Sequence, residues 1–244
     1  MSLALKLALS PLLVLQALRT RARLPRLPEA AGERHGVVGS GAPVRLLIVG
    51  DSSAAGVGVV EQRNALASQL AARLADACQA QIEWRLVAES GLTTAQALRL
   101  LQRQAHWAAD LAVIVTGVND VVDQVPSHHA VAARNGLANA LRNGYGVRHV
   151  CFAPLPPIHH FPGLPQPLRW VAGADARRHN AALKRWVATR TDVSLVDMEM
   201  PLNRGVMAVD GFHPGEPVYR YCAGSIAHHL ASEVWPQFRS EVTR

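Results

Sequence analysis

Aromatic side chains are scarce in this chain of 244 residues, at 5% of the total. A core can still form, because hydrophobic residues make up 49%. That core must be built largely from Ala, Leu and Val, which suits Ala-rich helices lying close on an aliphatic sheet. The aromatic shortage also argues against an extended sugar-stacking cleft. Lysine is nearly absent, with only Lys6 and Lys184, so the formal charge of +7 is carried by arginine. The arginines are scattered apart from one run, Arg19, Arg21, Arg23 and Arg26. No nucleic-acid-binding motif accompanies them, so a solvated surface is expected and no nucleic-acid partner.

Cysteine is limited to Cys78, Cys151 and Cys222. An odd, widely spaced set without C-x-x-C excludes a disulfide framework and a thiolate zinc site. Free thiols fit a reducing compartment, and a cytoplasmic location is expected. There is no H-E-x-x-H. The pairs His128-His129, His159-His160 and His228-His229 are adjacent, and adjacent helical side chains point about 100° apart. No metal and no cofactor are therefore expected. The glycine-rich run Gly56-Val57-Gly58-Val59-Val60-Glu61 ends in glutamate where a dinucleotide site needs glycine, and no Gly-Lys-Ser/Thr follows. No G-x-S-x-G surrounds any serine, which excludes an α/β-hydrolase elbow.

Long apolar runs are also missing. Leu3 to Leu18 is interrupted by Lys6, Ser10 and Pro11, and falls short of the about 20 residues a bilayer span needs. The arginines follow the apolar stretch rather than precede it, and no A-x-A site is evident, unlike a signal peptide. Two readings stay open for residues 1–26. They contact the inner face of a membrane peripherally, or they form a helix packed on the outside of the domain.

Pro, Gly and Ala crowd Leu24 to Pro43, which reads as a linker. The chain thus divides into an apolar and basic segment over 1–43 and a folded domain over 44–244. Strand and helix alternate through that domain. Strands are expected at Val44–Val49, Ile82–Ala88, Leu111–Val115, Val147–Ala153 and Val193–Val196. Helices are expected at Asn64–Cys78, Thr93–Ala105, Ser127–Arg142, Asp175–Thr189 and Val218–Val234. Continuously apolar strands are buried on both faces, so the fold is α/β, a parallel sheet covered by helices. In such folds ligands bind at the carboxyl edge of the sheet.

Three chemically loaded segments follow predicted strands. They are Gly50-Asp51-Ser52-Ser53-Ala54-Ala55-Gly56, Glu89-Ser90-Gly91-Leu92-Thr93-Thr94 and Thr116-Gly117-Val118-Asn119-Asp120. A fourth, Asp210-Gly211-Phe212-His213-Pro214, precedes the last helix. A serine becomes nucleophilic beside an imidazole, and the imidazole needs a carboxylate to hold its tautomer. Asp210 is one tight turn from His213. Ser52 N–H, Gly91 N–H and the Asn119 amide could supply oxyanion donors from neighbouring strand ends. Each residue also has a plainer role: Ser52 or Asp51 as a helix cap, Gly91, Asn119, Asp120 and His213 as turn residues. Residue chemistry does not choose between Ser52 and Ser53.

The four segments, in this order, resemble the sequence blocks of the SGNH hydrolases, the GDSL-type esterases and lipases, from about Val44 to Leu230. The resemblance selects Ser52 as nucleophile, with Ser53 where many members have leucine, and implies a structural role for Asp51. It implies Asp210 and His213 as the other catalytic residues, and Ser52, Gly91 and Asn119 as the oxyanion hole. It further implies a flavodoxin-like three-layer α/β/α sandwich with a parallel five-stranded sheet in the order 2-1-3-4-5. The expected substrate is a small-molecule or lipid-like ester; thioesters, lysophospholipids and acetylated sugars fall within the same resemblance. The Pro-rich loop Pro154–Trp170 follows the fourth strand, and Phe161 and Trp170 are its candidates for substrate contact; a rigid surface loop is the alternative. A catalytically inactive binding module would be expected to lack Ser52 or His213, and both are present; a membrane scaffold tethered by the N-terminus would not explain the four segments.

Overall fold

The computed structural model describes residues 3–200 and 202–242. Residues 1 and 2 of the N-terminal segment, and 201, 243 and 244 of the expected domain, lie outside the described residues. The chain opens with helix α1 (Leu3–Arg23), then strands β1 (His35–Val38) and β2 (Pro43–Gly50). A short helix α2 (Ser52–Ala55), α3 (Leu66–Cys78), β3 (Gln81–Ala88), α4 (Thr94–Gln102) and β4 (Leu111–Val115) follow. Next come α5 (Val118–Val122), α6 (Ser127–Tyr145), β5 (His149–Phe152), α7 (Leu168–Val187) and β6 (Val193–Leu195). The last stretch is α8 (Glu216–His229), a π turn over Leu230–Val234 and α9 (Trp235–Val242).

The strands form one sheet in the order β1-β3-β2-β4-β5-β6. From β3 to β6 all neighbours are parallel. Counted from β2, that parallel part runs 2-1-3-4-5, the order the family resemblance implies. Side chains alternate across it because a strand repeats every second residue. Leu46 and Ile48 pack with α3 and α8 on one face, while Leu47 and Val49 pack with α4 and α6 on the other. Each such fully buried side chain contributes about 1.5–3 kcal/mol. The sandwich is therefore dry on both sides of β2.

Two expectations need correction. The sheet is mixed and six-stranded, not parallel and five-stranded, because β1 adds an antiparallel edge, with His35 opposite Arg85 and Val38 opposite Ile82. An edge strand needs only one partner and one buried face, so four residues suffice and the apolar signal is weak. Residues 29–38 are not a free linker either. Ala30 is buried, and Ala31 N–H donates to Val60 O while Gln62 N–H donates to Ala31 O. Their partners lie far along the chain, so Gly/Pro-rich composition alone reads as a linker.

Of the helix starts, that of α4 agrees with expectation and that of α7 differs. Thr93 caps α4 in a reciprocal box with Gln96, which closes its first turn. Helix α7 begins at Leu168 rather than Asp175, and so takes Trp170 out of the preceding loop. The ends of β2, β3 and β4 are level, with Gly50 opposite both Ala88 and Val115. The segments that follow these three strands therefore emerge side by side at the carboxyl edge.

Candidate active site

Ser52 is the first residue of α2, directly beyond β2. Asp51 caps that helix by accepting a hydrogen bond from Ser53 N–H at 3.0 Å, so Ser52 is free of the capping role. Its hydroxyl lies 3.2 Å from His213 Nε2. His213 Nδ1–H donates to Asp210 Oδ2 at 2.6 Å. An ionised carboxylate only accepts, so Nδ1 carries the proton and Nε2 turns its lone pair to the Ser52 hydroxyl. The imidazole reaches Ser52 rather than Ser53.

Asp210 is locked as well. Its Oδ1 accepts from Phe212 N–H at 2.9 Å and His213 N–H at 3.0 Å, closing a tight turn around the Asp-Gly-Phe-His sequence. Burial pushes the Asp210 carboxyl up, but the hydrogen bonds from the His213 ring and from the His213 and Phe212 N–H groups outweigh it and hold it below the ordinary carboxylate range. Asp51 has only one N–H bond against complete burial, and burial raises its carboxyl to about 7.

Gly91 and Asn119 stand in the two neighbouring loops. Gly91 has φ +83°, and a Cβ there would meet nothing within 4 Å. It is exposed and its backbone is open to an approaching molecule. One Asn119 amide hydrogen donates to Leu92 O at 3.0 Å, which ties the two loops together and leaves the second Nδ2 hydrogen unused. The Gly91 loop is held from behind by the N-terminal stretch. Ser90 N–H and Oγ–H donate to Glu29 Oε1 at 2.7 and 2.8 Å, Glu29 pairs with Arg34, and Arg34 Nη1 donates to Ala88 O at 2.7 Å.

Below these loops lies a buried network, of which sequence reasoning named Asp120 only as a turn residue and missed Arg134. Asp120 and Arg134 are each 1% exposed at the side chain, with Arg134 Nη2 3.7 Å from Asp120 Oδ2. Asp120 accepts from Thr94 N–H at 2.9 Å and from Thr94 Oγ1–H at 2.6 Å. Arg134 Nη2 donates to Thr116 O at 3.1 Å. Gly117 has φ +130°, and a Cβ there would lie 2.4 Å from Arg134 Nη2, so only glycine leaves room for the guanidinium. This network sets the backbone on both sides of Asn119. A signal existed in the sequence: Arg134 falls on the buried stripe of α6, in step with Ala130, Leu137 and Leu141.

Ser52 and His213 open into a cleft. Its walls are largely apolar, with Val118, Phe161, Met198, Met200, Leu202 and Met207 among the side chains that line it. Phe161 lines this cleft and also packs edge-on against Phe212, which in turn leans on the His213 ring. Trp170 is not brought to the site; it is 41% exposed on the first turn of α7 and does not line the cleft. Among the described residues no group of three or more His, Cys, Asp or Glu side chains could hold a metal ion.

The comparisons with known proteins agree with this architecture. The model of the GDSL-like Lipase/Acylhydrolase family matches residues 48–221. Among solved structures, the lipase Lip_vut3 from a goat rumen metagenome superposes with a TM-score of 0.62 at 18% identity, over 78% of this chain and 97% of that one. The psychrotrophic esterase EstA from Pseudoalteromonas sp., in a structure inhibited by monoethylphosphonate, gives 0.53 at 16% identity, over 82% and 99%. Est24, a carbohydrate acetylesterase from Sinorhizobium meliloti, gives 0.55 at 16% identity, over 78% and 99%. At these identities the structural likeness speaks for the fold. No curated protein matches the chain.

Proposed function

The chain belongs to the GDSL-like lipase/acylhydrolase family, whose members hydrolyse esters, and on that premise we propose that it cleaves aliphatic carboxylic esters through an acyl-enzyme on Ser52. One observation carries the reading: an unbroken relay of hydrogen bonds from Asp210 through His213 to the Ser52 hydroxyl, at the mouth of an apolar cleft. Ser52 Oγ attacks the ester carbonyl while its proton passes to His213 Nε2. Asp210 holds the ring in the tautomer that can accept it and stabilises the imidazolium that results. The carbonyl oxygen becomes an oxyanion facing Ser52 N–H, Gly91 N–H and the spare Asn119 amide hydrogen. As the intermediate collapses, the carbon–oxygen bond to the alcohol breaks and His213 returns its proton to the leaving oxygen. Water then attacks the acyl-enzyme with His213 again as base, releasing the acid and restoring the Ser52 hydroxyl.

The substrate class follows from the cleft. Its Met, Leu, Val and Phe walls give an aliphatic acyl chain a dry resting place and offer a sugar ring few hydrogen-bonding partners. A panel of p-nitrophenyl esters from acetyl to palmitoyl, run beside an acetylated sugar, tests both points. The expected result is a kcat/KM that rises beyond acetyl and is lost in Ser52→Ala. No hydrolysis of any member by the wild type would overturn the reading, and a preference for the acetylated sugar would overturn the acyl-chain assignment.

A further inference from the structure

Helix α1 is mounted with its more apolar side outward. The residues it turns to the domain are Lys6, Leu9, Ser10, Leu13, Gln16 and Thr20, all only half-buried, and four of these six are polar. Lys6 Nζ pairs with Asp175 Oδ2 at 2.7 Å. Gln16 Nε2 donates to Gln166 O at 2.7 Å, and Gln16 Oε1 accepts from Leu168 N–H at 3.1 Å. These polar ties fix the helix against α7. The opposite stripe, at three- and four-residue spacing, holds Leu7, Val14 and Leu18, exposed by 62%, 58% and 62%, together with Leu15 and the ring of Pro11. A helix that only covered its own domain would bury this stripe and expose the more polar one.

Charge says what covers the stripe. Arg19, Arg21 and Arg23 are exposed in the last turns of α1, Arg26 follows, and α1 contains no acidic residue. On a helical wheel Arg19 and Arg21 flank the apolar stripe on either side, where their long stems can lie along apolar surface and their heads reach outward. The tie at Leu168 joins the helix to the first turn of α7, on which Trp170, a side chain with an apolar body and a polar N–H, is 41% exposed. No helix among the described residues is long and apolar enough to cross a membrane, so this one would lie in the interface plane. A second copy of the same face would bring arginines without acidic partners.

We infer that the outward face of α1 docks the protein onto an anionic lipid surface, with Leu7, Val14, Leu15 and Leu18 entering the acyl boundary and Arg19, Arg21, Arg23 and Arg26 contacting headgroup phosphates. The docking is independent of the hydrolase reading, since no residue of the Ser52 site takes part. It would hold α7, and through it the 158–160 turn packed on that helix beside the cleft wall, against the membrane.

Co-sedimentation of the full chain with vesicles of phosphatidylcholine, with and without phosphatidylglycerol, tests this. The wild type should sediment with the anionic vesicles, release with added salt, and bind the neutral ones weakly. Val14→Ser/Leu18→Ser should lose at least about tenfold in partitioning, and Arg19→Gln/Arg21→Gln/Arg23→Gln roughly fivefold per arginine. Both variants should keep wild-type hydrolysis of a water-soluble ester, which shows that they fold. Ser52→Ala should sediment like the wild type, so failure of the enzyme reading leaves this test intact. Equal sedimentation of wild type and the variants would overturn the proposal. So would no binding to anionic vesicles, or lipid-free self-association that Val14→Ser/Leu18→Ser abolishes.

Discussion

Ser52 Oγ and His213 Nε2 stand 3.2 Å apart although 161 residues separate them in the chain. The contact joins the end of β2 to the turn before α8, so it exists only when the whole sheet is assembled. Ser52→Ala removes the hydroxyl without altering the cap, which Asp51 provides. It should lower kcat/KM by at least about 10³-fold and abolish labelling by a fluorophosphonate, while Ser53→Ala keeps both. Labelling that persists in Ser52→Ala and disappears in Ser53→Ala would move the nucleophile by one residue.

Asp210 makes three hydrogen bonds, one of them to the imidazole. Asp210→Asn keeps an acceptor but favours the wrong ring tautomer, and turnover should fall on the order of 10⁴-fold. Because the folded carboxyl lies below its ordinary range, it contributes stability that is present above the unfolded value and is lost as pH falls through the folded one. Denaturation of wild type and variant at successively lower pH should therefore converge in acid. A gap that widens there would contradict the assignment.

The Asn119 amide is held by Leu92 O and keeps one free hydrogen. Asn119→Ala should reduce kcat by about 10²–10³-fold with little change in KM or in the unfolding midpoint. A rise in KM alone would make Asn119 a substrate-binding group rather than an oxyanion donor.

Arg134 and Asp120 compensate one another in the interior. Asp120→Ala removes the nearest counter-charge from the buried guanidinium and leaves it the hydrogen bond to Thr116 O, and should cost about 3–5 kcal/mol in a urea titration. Adding Arg134→Met should restore part of that loss, because the stranded charge is gone. Additive losses would mean that the pair is not coupled.

Asp51 lies at the same buried level and titrates in the opposite sense. Its folded value is near 7 against 3.8 for the free group, so the folded state keeps a proton that the unfolded state releases between those limits. Stability should fall as pH rises through that window, by at most about 1.4 kcal/mol per pH unit from this group. Asp51→Asn retains an acceptor for Ser53 N–H and should flatten the fall. An identical slope in both proteins would rule out Asp51 as its source.

Glu29 braces Ser90, and β1 pairs with β3. A chain starting at Leu24 should keep its thermal midpoint and its activity. A chain starting at Val44 lacks several main-chain and brace hydrogen bonds at about 1 kcal/mol each, and should lose stability and turnover together. Equal behaviour of the two would return residues 24–43 to the status of a linker.

The alternating α/β framework, and the segments that carry the candidate site, are already legible in the order of residues. Apolar runs such as Leu111–Val115 can only be buried on both faces, and the Leu66, Leu70, Leu74 stripe repeats at helical spacing. Ser52, Gly91, Asn119 and His213 stand out because each belongs to a short local motif at an element end. Packing settles everything that needs a remote partner. Edge strand β1 is recognisable only from its ladder to β3. Trp170 leaves the candidate site because α7 begins a turn and a half or more before the expected Asp175. Arg134 acquires meaning only against Asp120 and Thr116, and the stripe on α1 only once its polar face is seen bound to α7. Local periodicity records which way a side chain must point; it does not record what will stand opposite, because that is set by chain packing across the whole sheet.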